Sequence, residues 1–68
     1  MMKMRDPNRL DEFYEELAKI HKENFPDWRF GQFIMNFLYW LGQDPFYMEE
    51  KEFLAEVKRY VENMTNNS

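Results

Sequence analysis

Between Phe30 and Leu41 the chain reads FGQFIMNFLYWL, and nine of these twelve residues are apolar or aromatic. No other stretch constrains the fold as strongly. The apolar run at 33–41 is far too short to span a bilayer, which takes about 20 residues. Pro26-Asp27 precedes the segment, and Gly42 suits a left-handed cap after it, so the pattern predicts a helix over 29–41. A helix that is apolar nearly all round is buried on more than one side. Either the rest of the chain covers it or another surface does.

The flanking segments are different in kind. Asp6 can cap free backbone N–H groups, and Pro7 suits a first helical position, so a helix is expected over 7–24. Leu10, Phe13, Tyr14, Leu17 and Ile20 recur at helical spacing. Glu12, Glu15, Glu16, Lys19, Lys22 and Glu23 take the other side. Pro26 biases Phe25 away from helical angles and ends the unit. In "QDPFY", Pro45 breaks the pattern. The expectation is an extended stretch through Phe46-Tyr47, then a helix over 49–64 opened by the acidic "EEKE"; Pro45 is the other candidate start. Phe53, Leu54, Val57, Tyr60, Val61 and Met64 form one clean stripe.

Three helices with short links make an all-α fold, a compact three-helix bundle forming a single domain over residues 1–68, with 1–5 and 65–68 frayed. The simplest arrangement sets the middle helix between the other two. Phe30, Ile34, Phe37, Leu38 and Leu41 then face inward, and Leu17, Phe37 and Val57 anchor the core. Phe33, Met35, Tyr39 and Trp40 are left around the flanks. They are the expected interaction surface, centred on Trp40, because Trp, Tyr, Phe and Met are enriched at interfaces. Gly31 costs helix propensity and is tolerable where another backbone passes close by.

Size and charge limit what such a domain can do. A domain this short buries only about 60% of the surface its unfolded chain exposes. With no cysteine it has no disulfide or thiolate site, so its thirteen aromatic residues must carry the core. The net charge is −4, and no basic block appears, which argues against direct nucleic-acid binding. A helix-turn-helix would need a basic recognition helix, and neither later helix is one. "MMKMRDPNRL" lacks the apolar region of a signal peptide. A cytoplasmic protein is expected, with no membrane partner and with the glycosylation patterns at Asn63 and Asn66 incidental.

Catalytic chemistry finds little footing. His21 falls at the margin of an apolar stripe, where a lone helical histidine is a boundary residue more often than a base or ligand. The hydroxyls of Thr65 and Ser68 lie in the tail. Glu49, Glu50 and Glu52 read as dipole-favoured charge at a helix start rather than as metal ligands. The expectation is no enzyme, no metal and no cofactor. Arg29, Gln32 and Asn36 are candidate polar contacts. The plainer alternatives are that Arg29 pairs with a helix-terminal carbonyl or a carboxylate such as Asp27 or Asp44 and that Gln32 and Asn36 face water.

The segments "RDPNR", "PDWRFGQ" and "DPFYMEEKEFL" together resemble short uncharacterised proteins of bacteria and their phages. In that group an acidic first helix leads into PD-x-R-[FL]-GQ, and a later [FY]Y precedes an acidic third helix. The resemblance covers about residues 5–60. It implies that Arg29, Phe30, Gly31, Gln32, Phe46 and Tyr47 belong to a shared pattern, and a bacterial or phage cytosolic origin. It implies no activity. The expected function is a non-enzymatic protein–protein interaction module, meeting a second copy of itself or a host protein. The alternative is a phage-type inhibitor or nucleic-acid mimic that uses the acidic faces of the first and third helices.

Overall fold

A computed structural model describes residues 6–66, and within them the chain forms three helices: α1 (Arg9–Asn24), α2 (Phe30–Leu41) and α3 (Glu50–Asn66). The expected all-α three-helix bundle is the fold. The expected fraying of 1–5 and 67–68 lies outside the described residues.

The helix ends follow from local hydrogen bonding. Asp6 does not cap α1: its Oδ1 accepts the Asn8 N–H at 3.0 Å in the turn ahead of the helix, and Asn8 itself is the N-cap, with no side-chain cap bond. The first bonds are i→i+3, from the Arg9 N–H to the Asp6 carbonyl and from the Leu10 N–H to the Pro7 carbonyl. A tight turn therefore occupies 7–8, and α1 begins two residues later than its proline suggests. Between α1 and α2, Pro26 and Asp27 sit at the corners of a turn closed by the Trp28 N–H on the Phe25 carbonyl at 3.0 Å. Gly42 ends α2 with a φ of 73°, its N–H bonded to the Leu38 carbonyl, as a left-handed cap requires.

Residues 45–48 are not extended. The Met48 N–H bonds the Pro45 carbonyl at 2.9 Å, and Asp44 Oδ1 accepts the Phe46 N–H at 3.0 Å. Proline's fixed φ and the aspartate's reach to a backbone N–H two residues on favour a turn over a strand-like stretch. Glu52 then reaches back to the Glu49 N–H, and α3 starts at Glu50. It runs through Asn66 rather than stopping at Met64, with the Thr65 hydroxyl bonded back to the Val61 carbonyl at 3.0 Å.

α1 and α3 run parallel. Arg9 pairs with Glu50, the Phe13 and Phe53 rings meet edge to face at 5.8 Å, and Glu16 faces Lys58. α2 runs back between their ends, with its Phe33 beside Phe25 and its Phe37 against Phe53 and Tyr60. The shared element is α3, not α2: α1 and α2 each pack mainly on it. The wide stripe of α3 explains this. Phe53 meets Phe13 on one side and Phe37 on the other, so a single helix carries the cover for both neighbours.

The buried core is Leu17, Ile20, Phe33, Phe37, Val57 and Tyr60, which includes the three anchors expected from the stripes. Two expectations for α2 are overturned. Phe30 was expected inside and is 59% exposed; Phe33 was expected on the flank and is completely buried. Two stripes share this helix. One runs through 30, 34, 37, 38 and 41, the other through 33, 37 and 40, and both contain Phe37. Both contribute to the core: Ile34, Leu38 and Leu41 pack against it as expected, as does Trp40, while Phe30, the first residue of α2, stays outside and Phe33 fills the space between Phe25 and the His21 ring, whose centre is 4.9 Å from its own.

Candidate interaction surface

The turn into α2 is pinned on its inner side. His21 Nε2 donates to the Trp28 carbonyl at 2.7 Å, which puts the ring proton on Nε2. The Trp28 ring stacks on Phe25 at 4.4 Å, nearly parallel. His21 is thus a half-buried residue that ties α1 to the start of α2. On the outer side, Gln32 Oε1 accepts the Arg29 N–H at 2.8 Å, satisfying a helix-end donor. The Gln32 carbonyl group therefore serves its own helix. Arg29 is exposed, and among the described residues its guanidinium joins no ion pair, neither with Asp27 nor with Asp44. Asn36 is exposed.

With Phe33 and Phe37 turned inward, the opposite side of α2 faces out. Met35 is 57% exposed and Tyr39 is 84% exposed. They are one helical turn apart, so they share a face, and exposed Gly31 lies one turn before Met35 on the same line. From Phe30 through Gln43 there is no acidic or basic residue. The electrostatic character of this face is therefore neutral, on a chain of net charge −4.

Of the four residues expected to form the surface, Met35 and Tyr39 are exposed on the outer side of α2. Phe33 is not, since it is core. Trp40 does not form its centre: its ring lies 5.5 Å from Tyr60 and 6.4 Å from Phe37, and the Arg59 guanidinium sits 5.3 Å over it. Arg59 is held in turn by Glu56, one turn earlier on α3. The half-buried Trp40 thus closes the edge of the core under a cation. Burial also raises the Tyr60 phenol pKa above its ordinary value.

Besides Phe30, three further exposed aromatics lie outside the expected surface. Tyr14 belongs to the apolar spacing of α1 but stands 60% exposed, its ring against Phe13 at 5.1 Å. Phe46 and Tyr47 form the tip of the α2–α3 turn, edge to face at 4.8 Å. The signal for this pair was present in Asp44-Pro45, a turn-forming dipeptide that makes the following residues protrude.

No helix among the described residues is long and apolar enough to cross a membrane, and among those residues no three of His, Asp or Glu gather as a metal-binding group. No protein-family model matches the chain, and neither a curated protein nor a solved structure matches it.

Proposed function

We propose that this is a non-enzymatic protein–protein contact module of the cytoplasm, and that its contacting surface is the outer face of α2, centred on Met35 and Tyr39. One observation carries the reading: two large side chains stand out into solvent on a helical face with no charge. A tyrosine gains much from desolvation of its ring while its hydroxyl keeps a hydrogen-bond partner, which is why the type is enriched where proteins meet. Asn36, beside Met35, and Arg29, before the helix, supply polar contacts at the rim.

A photo-crosslinking amino acid placed at position 39, and in a second variant at position 15, tests this in cells that make the protein. Position 15 lies on the acidic side of α1. Protein adducts from 39 and none from 15 are expected. Adducts from 15 alone would overturn the reading in favour of an inhibitor or nucleic-acid mimic acting through its carboxylates, and that contact would weaken with added salt.

A further inference from the structure

Gly31 is the residue in α2 that its own fold does not explain. Its φ is not positive, so no left-handed turn requires glycine there. A Cβ built on it would meet nothing within 4 Å, so no neighbouring segment of the chain needs the room. Even in the first turn of α2, glycine is a poorer helix former than alanine. A gap of this kind is useful when a second backbone or a large side chain from another molecule fills it.

We infer that the occupant is a second copy of this chain, with α2 packed antiparallel on the partner's α2 about a two-fold axis at Met35. The inference rests on the outer face of α2 being the contact surface. Gly31, Met35 and Tyr39 are spaced i, i+4 and i+8, symmetric about Met35. A two-fold axis there sets Met35 against its own copy and the exposed Tyr39 ring over the open space at Gly31. The smallest residue of the line thus faces the largest. Rows at i±4 on both helices are those that interdigitate in the commonest helix–helix crossing, and an isologous contact needs a self-complementary patch of this kind.

Charge selects the same occupant. A two-fold contact brings each face against itself, so like charges meet. α1 carries five acidic residues against three basic ones, and α3 four against three. The α2 face, empty of charge from residue 30 to 43, is the helical face on which two acidic chains can meet without opposing carboxylates.

Sedimentation equilibrium on the wild type, Met35→Glu and Gly31→Ala tests this. The wild type should dimerise reversibly in the micromolar range. Met35→Glu sets two carboxylates against each other and should weaken the dimer more than about a hundredfold. Gly31→Ala fills the gap under the partner's Tyr39 and should weaken it about tenfold or more. Yet at a concentration where the chain is monomeric, the same change should raise the melting temperature by several degrees, through helix propensity alone. That opposite pair of effects separates a contact role from a folding role. A wild type that stays monomeric into the high micromolar range would overturn the inference, as would a dimer indifferent to either substitution. Cross-links from position 39 to a different protein would then still support the outer face of α2 as a contact surface.

Discussion

Phe30 and Phe33 are the same residue one helical turn apart, and the structure assigns them opposite fates. Phe33 has no exposed surface and touches the rings of His21 and Phe25. Truncating it to alanine removes about 1.5–3 kcal/mol of transfer free energy. The void left, roughly 100 Å³ before relaxation, adds about 2 kcal/mol more. The total, about 4 kcal/mol, is comparable to the entire stability expected of a chain this short, roughly 3–10 kcal/mol. Phe30 is 59% exposed; Phe30→Ala loses about four-tenths of the transfer term and opens no closed void, so its cost is about 1 kcal/mol. Urea unfolding, followed by helical circular dichroism and by Trp28 and Trp40 fluorescence at one low protein concentration, reads both. Phe33→Ala should lose about 4 kcal/mol, unfolding at a far lower urea concentration than the wild type or already without denaturant. Phe33→Leu should keep a transition at reduced midpoint, which makes the loss measurable. Equal losses at the two positions, or a greater loss at Phe30, would refute the placement of Phe33 in the core.

Four further outcomes are expected. Tyr60 keeps its proton more tightly folded than unfolded, so stability should hold below about pH 10 and then fall as pH rises from there toward the folded-state pKa, by up to about 1.4 kcal/mol per pH unit; thermal melts of wild type and Tyr60→Phe should show the slope reduced in the variant. Gly42→Ala should cost about 1 kcal/mol in chemical denaturation, because the cap is left-handed at φ 73°. Arg59→Ala should uncover Trp40, red-shifting its emission in a Trp28→Phe background, and lower stability by about 0.5–1 kcal/mol. Duplex DNA should show no gel shift with micromolar protein at physiological salt, given the net charge of −4.

What the sequence by itself determined is the set of local decisions. Pro26, Gly42 and Pro45 act through their own backbone restrictions, and in α1 and α3 charged residues opposite the apolar stripe leave one side to bury. The three helices, their order and the anchors Leu17, Phe37 and Val57 were therefore legible, as were Met35 and Tyr39 on the candidate surface. Only the tertiary structure decided the rotation of α2. With nine apolar residues in twelve, spacing does not rank them: Ile34, Leu38 and Leu41 pack on the core as expected, but so do Phe33 and Trp40, and Phe30 does not. The choice falls to contacts that join residues far apart in the chain: Tyr60 of α3 against Phe37 and Trp40, Arg59 over Trp40, and His21 tying the Trp28 carbonyl so that Phe33 enters the gap beside Phe25. Trp40 moved from the surface to the edge of the core, and Phe33 into its centre, for the same reason. Local spacing fixes which residues share a helical face, but only the neighbouring helices fix which face turns inward.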